Sequence, residues 1–375
     1  MKYVTNIPAD TLAGKYVIVR AGLDVPLDAH GDVADLFRVE RATQTLLFLR
    51  EHGAKIIVLS HIGRDPSTTN EPVARALKAH LPVFYVPDIL GAQAQGARTA
   101  MKPGDVLLLE NLRTDPREVA NDPTFAQELA GLGDIYVDDA FSVAHRAHAS
   151  IVGIPALIPS YAGILMREEI ERLAQARAPI SPSVAILGGA KFETKEPLIK
   201  LLLETYDHVF VAGALANDIF KARGLSVGIS LISEGVPAPE ILNHPKLMVP
   251  TDVTVERPDH QAHVKKVGEV AADERIVDMG PDSLALIAPL VAGAKSVLWN
   301  GPTGMFEHGY GAWTQRVAEI VALSEATSII GGGDTIAAIE EAHVPVGTHT
   351  FLSTGGGAML EYLLKGSLPG IEALQ

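Results

Sequence analysis

Residues 184–191 read VAILGGAK, an apolar, β-branched run that ends in two glycines and a lysine. The run is short enough for a strand and apolar on both faces, as in parallel sheets covered by helices. Similar runs, separated by helical patterns, occupy residues 16–20, 55–60, 83–88, 106–110, 135–138, 208–212, 247–250, 296–299, 327–330 and 348–352. This alternation predicts an α/β fold with two Rossmann-like, doubly wound parallel-sheet domains.

The alternation is interrupted between residues 154 and 183. IPALIPS (154–160) contains two prolines, and a helical stretch rich in Glu and Arg follows at 167–177. APISPS (178–183) ends that stretch. The pattern predicts a first domain that covers residues 1–160 and a second domain that begins at 161 and includes the connecting hinge helix.

Composition narrows the classes of partner. The 375 residues carry a net charge of −14, which disfavours nucleic acid or an anionic membrane as a partner. There is no cysteine, so disulfides and thiolate zinc sites are excluded. Residues 1–15 lack the apolar segment of a secretory signal, and no apolar run reaches about 18 residues. We therefore expect a soluble cytoplasmic protein.

Ligands of such sheets bind beyond the carboxyl ends of the strands. In the first half these positions carry Arg20, Arg38, His61, Arg64, Arg113, His145, Arg146 and His148. For any single arginine, a local ion pair is a better explanation than a bound ligand. The whole group favours an anion site, because the guanidinium fork suits phosphate and carboxylate. His145 and His148 are also candidate metal ligands, although no third candidate lies near them.

The second half has glycines at the same positions, in ILGGAK (186–191), IIGGGDT (329–335) and STGGGA (353–358). Three such turns before helices predict a phosphate-bearing ligand, although GxxxxGK[ST] and GxGxxG are absent. Lys191 and Lys195 could be solvated surface lysines or could contact phosphate. Their position beside the glycines favours contacts with phosphate. Asp334 fits a magnesium ligand, a helix N-cap or both. A basic half and a glycine-rich half together suit phosphoryl transfer.

Nine segments resemble phosphoglycerate kinase in sequence and in order. They are VIVRAGLDVPL, SHIGR, LLLENLR, VDDAFSVAHRAHAS, AILGGAKFETK, VLWNGPTGMFE, SIIGGGDT, STGGGA and LPGIEAL. The resemblance covers essentially the whole chain. It implies a monomeric glycolytic kinase that transfers phosphoryl between 1,3-bisphosphoglycerate and ADP, with Mg2+, and gives 3-phosphoglycerate and ATP. It also implies that the nucleotide domain ends at residue 363, that residues 364–375 return to the first domain, and that the domains close on their substrates.

The resemblance also implies the site residues. The phosphoglycerate site would contain Asp24, Arg38, His61, Arg64, Arg113 and Arg146. The nucleotide site would contain Gly189, Lys191, Lys195, Gly213, Asn300, Pro302, Glu307, Gly331, Gly332, Gly333, Asp334 and Thr335, with Glu307 at the ribose and Asp334 at the metal. Arg38, Lys195, Gly333 and Gly356 would be catalytic, stabilising charge on the transferring group.

The sequence departs from the family most clearly in one segment, and also at Phe37, Ser142, Ala214 and residues 192–194. VRAGLDVP stands where the family usually reads VRVDFNVP, so Gly22, Leu23 and Asp24 replace aspartate, phenylalanine and asparagine. That aspartate and asparagine normally contact the hydroxyl end of the glycerate, and losing such a hydrogen bond costs about 1–3 kcal/mol. Two alternatives therefore stay open. One is a nucleotide-binding paralogue with another acyl-phosphate substrate or a regulatory role, and the other is a two-lobed binding protein without catalysis.

Overall fold

The computed structural model describes residues 1–375 and divides into two units. Unit 1 contains Met1–Glu171 and Ser367–Gln375, and unit 2 contains Arg172–Gly366. The boundaries predicted from the sequence lie at 160/161 and 363/364. The assignment of one ligand to each domain stays a prediction.

Unit 1 is built on a six-stranded parallel sheet. Its strands are β1 (Tyr16–Ala21), β2 (Lys55–Leu59), β3 (Phe84–Tyr85), β4 (Val106–Leu108), β5 (Ile135–Asp139) and β6 (Ser160–Ala162), in the order β3-β4-β2-β1-β5-β6. In the register of the sheet, Val17 of β1 is opposite Ile56 of β2 and Ile135 of β5. The five strands predicted for this half are all present. The sixth strand, β6, was missed because it directly follows a proline-rich segment.

Helices cover this sheet and complete its core. They are α1 (Ala9–Leu12), α2 (Phe37–Glu51), α3 (Glu71–Leu77), α4 (Ala92–Ala100), α5 (Pro116–Val119), α6 (Pro123–Ala130) and α7 (Ile164–Arg177). Helix α2 contributes buried Val39, Leu46 and Leu49 to the same core as β1 and β2. The predicted hinge helix corresponds to α7, which runs across the boundary between Glu171 and Arg172.

Unit 2 combines a parallel sheet with a smaller antiparallel one. Its strands are β7 (Ser183–Leu187), β8 (His208–Val211), β9 (Leu247–Met248), β10 (Asp252–Glu256), β11 (Ala262–Lys266), β12 (Arg275–Met279), β13 (Ser296–Asn300), β14 (Thr327–Gly331) and β15 (Thr350–Ser353). The parallel sheet has the order β15-β14-β13-β7-β8-β9 and contains the six strands predicted for this half. Strands β11-β10-β12 form the antiparallel sheet, which the sequence analysis did not predict.

The helices of unit 2 are α8 (Phe192–Thr205), α9 (Ala214–Ala222), α10 (Pro239–Leu242), α11 (Pro281–Ala292), α12 (Ala312–Leu323), α13 (Gly333–Glu341) and α14 (Gly357–Lys365). The final helix, α15 (Pro369–Ala373), belongs to unit 1, where the N–H of Gly370 donates to the carbonyl oxygen of Ala144 at 2.8 Å. None of the helices combines the length and apolar character needed to cross a bilayer.

Two adjacent carboxyls at the end of β5 make stability depend on pH. Asp138 and Asp139 are buried, and burial is the main reason why the pKa of Asp138 is raised to about 7 and that of Asp139 to about 6. In the unfolded chain both carboxyls regain an ordinary pKa near 3.8. Unfolding therefore releases protons between about pH 4 and 7, and the free energy of unfolding falls as pH rises through that range.

Asp138→Asn is expected to stabilise the protein more at pH 8 than at pH 5, because the amide has no charge to bury. Each unit of pKa shift corresponds to about 1.4 kcal/mol, which sets an upper limit of about 4 kcal/mol at pH 8. Thermal unfolding of variant and wild type at both pH values measures the effect. Asp10→Asn, at an exposed position, serves as the control. An equal difference in Tm at the two pH values would contradict the assignment.

Candidate active site

Three arginines of unit 1 lie together without ion-pair partners. Arg64, Arg113 and Arg146 line one open pocket, and none of them forms a salt bridge with a carboxylate. Burial lowers the pKa of Arg113, and the charge of Arg146 acts in the same direction. Guanidiniums grouped in this way, without carboxylate partners, favour the binding of an anion among them. Local ion pairing, the alternative explanation for single arginines, does not apply to these three.

Asp24, Arg38 and His61 lie beside this pocket. The backbone carbonyl of Asp24 accepts a hydrogen bond from Nη1 of Arg38, which is in the first turn of α2. The backbone carbonyl of Gly63 accepts one from Nη1 of Arg113. The N–H of Gly63 also donates to Oδ1 of Asp24 at 2.8 Å, so the segment after β2 links the carboxylate to the arginines. The structure thus brings all six predicted phosphoglycerate residues into one region of unit 1.

The carboxyl of Asp24 is ionised. Burial alone would raise its pKa, but the neighbouring imidazole of His61, the hydrogen bond from the N–H of Gly63 and the charge of Arg38 together lower it to about 2. Oδ2 of Asp24 lies 3.5 Å from Nε2 of His61. The side chain is about one-third exposed, so a hydroxyl group of a ligand could donate to it. A substrate anion, by contrast, would be repelled by this carboxylate unless the arginines compensate for it.

The other two departures within this segment, Leu23 and Gly22, affect the site differently. Leu23 is fully buried and belongs to the core of unit 1. Gly22 lies beside Ser142, whose Oγ is 3.3 Å from the position that a Cβ at residue 22 would occupy. That Oγ is buried and has no hydrogen-bond partner. The hydroxyl of Ser142 therefore takes part of the space into which a side chain at position 22 would extend.

The remaining cationic positions of the first half do not join the pocket. Arg20 is completely buried and bound by protein groups. Burial, followed by the charges of Arg20, Arg113 and Arg146, lowers the pKa of His148 to about 4. The structure contains no group of three or more His, Asp and Glu side chains that could hold a metal ion, and nothing supports His145 and His148 as ligands.

Unit 2 contains a cavity of about 220 Å³ next to its glycine turns. Five predicted nucleotide residues line it: Gly189, Gly213, Pro302, Glu307 and Asp334. Its apolar wall was not predicted from the sequence and consists of Phe220, Leu231, Val253, Ile276 and Met279. Most of this wall comes from α9 and from the antiparallel strands β10 and β12. A cavity with an apolar wall and a glycine-rich end has the form expected for a nucleotide.

Two polar side chains also line this cavity. Nδ2 of Asn217 donates to the carbonyl oxygen of Leu231 at 3.0 Å, while its buried Oδ1 has no partner. Asp278 accepts hydrogen bonds from the Oγ1 of Thr303 and the N–H of Met279. Burial raises the pKa of Asp278 to about 7, so this carboxyl is partly protonated at neutral pH.

A hydrogen-bond network connects the other predicted nucleotide residues. Nζ of Lys195 donates to the carbonyl oxygen of Gly188 at 2.7 Å and to Oδ1 of Asn300 at 3.2 Å. Nδ2 of Asn300 donates to the carbonyl oxygen of Gly331 at 2.9 Å. Oγ1 of Thr335 accepts from the N–H of Gly301 at 2.8 Å. These bonds hold the ends of β7, β13 and β14 in fixed positions next to the ammonium group of Lys195.

Two helices begin at the glycine turns that follow neighbouring strands. Helix α13 begins at Gly333 after β14, and α14 begins at Gly357 with Gly356 as its N-cap after β15. The N-cap of α13 is Gly332, so the prediction that Asp334 caps this helix is wrong. The exposed carboxylate of Asp334 lies in the first turn instead. Lys191, with a positive φ of 64°, is the N-cap of α8 and does not line the cavity.

The predicted contact of Lys195 with nucleotide phosphates would make nucleotide binding depend on pH. Burial lowers its pKa to about 8, while the charge of Asp334 acts in the opposite direction. The charged form dominates below pH 8, and the affinity for ADP should therefore fall by about tenfold between pH 7 and 9. Calorimetric titration with ADP at fixed ionic strength measures this. Lys191→Met should keep the same pH dependence and Lys195→Met should lose it, and a wild-type affinity independent of pH would contradict the assignment.

Comparison with known proteins identifies the family. A sequence model described as phosphoglycerate kinase matches residues 7–366 of the chain. The chain belongs to the phosphoglycerate kinase family. It is 42% identical over 382 residues to the phosphoglycerate kinase of Moorella thermoacetica, and the match covers 97% of each chain. The relative from Herpetosiphon aurantiacus is 42% identical over 381 residues, with 96% of each chain covered.

Solved structures of the family have the same architecture. The phosphoglycerate kinase of Coxiella burnetii superposes with a TM-score of 0.82 at 36% identity, covering 99% of this chain and 97% of that one. The enzyme of Pyrococcus horikoshii gives a TM-score of 0.89 at 30% identity, covering 100% and 98%. The resemblance inferred from the motifs is thereby confirmed, as is the prediction of two parallel-sheet α/β domains.

Proposed function

We propose that the protein catalyses the reversible transfer of a phosphoryl group between 1,3-bisphosphoglycerate and ADP, which gives 3-phosphoglycerate and ATP. The observation that carries this proposal is the pocket of Arg64, Arg113 and Arg146. Three guanidiniums without carboxylate partners, in a protein with a net charge of −14, form a site suited to an anionic ligand. Membership of the phosphoglycerate kinase family specifies which anion that is.

The acceptor site would bind the two ends of the substrate through different groups. Arg64, Arg113 and Arg146 would bind the phosphate of 3-phosphoglycerate, because each fork can form two parallel hydrogen bonds with phosphate oxygens. Asp24 and His61 would contact the glycerate end. Arg38 would neutralise the charge that develops on the phosphoryl group in transit.

The nucleotide would occupy the cavity of unit 2. Its base would pack against the apolar wall, and Glu307 would contact the ribose. The phosphates would extend towards Lys195 and the N-terminus of α13, where backbone N–H groups and the helix dipole favour negative charge. The other predicted contacts are Gly189, Lys191, Gly213, Asn300, Pro302, Gly331, Gly332, Gly333 and Thr335, and Gly356 at α14 would assist the transfer.

The residues at α13 fit a magnesium ion. Mg2+ is usually held by one or two carboxylates together with water and substrate phosphates, and Asp334 offers one exposed carboxylate next to the cavity. When bound with the nucleotide, Mg2+ would neutralise phosphate charge.

The reaction needs no general base. The carboxylate of 3-phosphoglycerate is ionised at neutral pH, and its oxygen attacks the γ-phosphorus of ATP while the bond to the bridging oxygen of ADP breaks. What the protein must supply is position and positive charge. Arg38 and Lys195 are the cations that we assign to this role.

The biological setting follows from the same proposal. We expect a monomeric, cytoplasmic enzyme of glycolysis that does not bind nucleic acid. The net charge of −14 supports the last point, because nucleic-acid binding requires a basic surface.

A coupled assay tests the proposed function. Purified protein with ATP, Mg2+ and 3-phosphoglycerate should form ADP continuously, and omission of 3-phosphoglycerate should abolish the signal. Binding of MgADP without turnover would contradict the proposal and favour a nucleotide-binding paralogue. Binding of neither substrate would favour a binding protein of another class.

A further inference from the structure

Arg20, at the carboxyl end of β1, is fully buried, and its guanidinium is held on three sides. Nε donates to Oγ of Ser150 at 3.0 Å, and Nη1 donates to the carbonyl oxygen of Ala21 at 2.7 Å. Nη2 lies 2.7 Å from Nδ1 of His61. Oγ of Ser150 in turn donates to Oε1 of Glu118 at 2.6 Å, which provides a buried counter-charge. Arg20 is therefore bound within the protein, unlike the arginines that line the pocket.

The contact with Arg20 determines where His61 carries its proton. A guanidinium contains only hydrogen-bond donors, so Nδ1 of His61 must accept and cannot be protonated. The proton of the neutral imidazole is then on Nε2. Nε2 is buried and lies 3.5 Å from Oδ2 of Asp24, slightly beyond a normal hydrogen bond. This N–H group thus lies at the acceptor site, the region beside Asp24 that would bind 3-phosphoglycerate. It has no closer hydrogen-bond partner.

We propose that Arg20 is a positioning residue that keeps the proton of His61 on Nε2, so that His61 presents a neutral N–H donor to Asp24 and to the glycerate. This inference rests on the proposed function, because it assigns the glycerate to the region beside Asp24. Arg20 itself does not touch the substrate. Its effect on catalysis passes entirely through the imidazole ring.

The surrounding charges support a neutral ring. Burial is the main cause that lowers the pKa of His61 to about 4, and the charges of Arg20 and Arg113 act in the same direction. Only the neighbouring carboxylate of Asp24 opposes them. The positive charge of the acceptor site therefore comes from arginines. At neutral pH, His61 contributes a neutral N–H donor.

Nuclear magnetic resonance of the imidazole nitrogens tests the tautomer directly. In the full-length wild-type protein at pH 7, we expect His61 to show a protonated Nε2 and an unprotonated Nδ1. Arg20→Met keeps the length of the side chain but removes both the donor and the charge. In this variant the two tautomers should mix, and the KM for 3-phosphoglycerate should rise about 5–30-fold, as expected for one lost hydrogen bond. The KM for ATP should stay unchanged.

A pH series separates this role from a purely structural one. Without Arg20, the pKa of His61 should rise, and the KM for 3-phosphoglycerate should become dependent on pH between 5 and 7. Ser150→Ala removes one support of Arg20 while keeping its charge, and should give a smaller effect of the same kind. Arg50→Met, at an exposed position of α2, is the matched control.

Several outcomes would overturn the inference. The first is a proton on Nδ1 in an active wild-type enzyme. The second is an unchanged tautomer and KM in folded Arg20→Met. If Arg20→Met does not fold, the wild-type spectrum and Ser150→Ala decide the question. Absence of turnover in the wild type would instead overturn the proposed function, and with it any role of Arg20 in an acceptor site.

Discussion

Arg38→Ala is expected to lower kcat for 3-phosphoglycerate and ATP by about 100–1000-fold. Removal of a single donor that stabilises transition-state charge typically has an effect of this size. Arg38 is half-buried in the first turn of α2, and its hydrogen bond to the carbonyl oxygen of Asp24 fixes the guanidinium beside the acceptor site. The affinity for ADP should not change, because ADP would bind in unit 2.

The control for this variant lies on the same helix. Arg50 is in the last turn of α2 and is exposed, so Arg50→Ala removes an equal charge away from the pocket and should leave kcat unchanged. Steady-state kinetics and ADP titrations of both variants give the comparison. Turnover of Arg38→Ala within tenfold of the wild type would exclude a catalytic role for this arginine.

The parallel sheets could be predicted because their strands are buried on both faces. The five residues of β7 are all buried, and such strands appear in the sequence as continuous apolar runs. The antiparallel sheet gives no such signal. Strand β11 alternates exposed and half-buried residues and contains two lysines, and its pairing with β10 depends on the partner strand. Only the alternation in β10, where Val253 and Val255 are buried, was available as a clue.

The residues of the candidate site could be predicted from the sequence where they follow a strand, but not where they lie elsewhere. Arg20 follows the same sequence pattern as the arginines of the pocket, but its partners Ser150 and His61 lie 130 and 41 residues away. Sequence position alone cannot distinguish a guanidinium that faces the interior from one that faces a ligand. The apolar wall of the cavity was missed for the same reason, since Phe220 and Val253 are indistinguishable from core residues until the fold brings them together.

Gly333→Ala should give the clearest separation of folding from function in the nucleotide site. A Cβ at residue 333 would meet no atom within 4 Å, and the residue has no positive φ. Folding therefore gives no reason for glycine here, and alanine should leave Tm unchanged or raise it slightly, because it favours the helix that begins at this residue. A nucleotide phosphate bound at the N-terminus of α13 would approach this backbone closely, and a methyl group would block it. We expect kcat to fall at least about 100-fold, because a displaced phosphate would lose its hydrogen bonds to the backbone donors of this helix N-terminus.

Two other glycines provide control variants for Gly333→Ala. A Cβ at Gly188 would lie 2.1 Å from the carbonyl oxygen of Pro302, so Gly188→Ala should lower Tm and nucleotide affinity together. Gly268 is exposed and equally open but distant from the cavity lining, so Gly268→Ala should change neither. Of the three variants, only Gly333→Ala should combine an unchanged Tm with lost turnover, because only at this position would a bound ligand occupy the space of the added methyl group. If Gly333→Ala behaves like Gly268→Ala, no phosphate approaches α13, and the nucleotide must bind elsewhere.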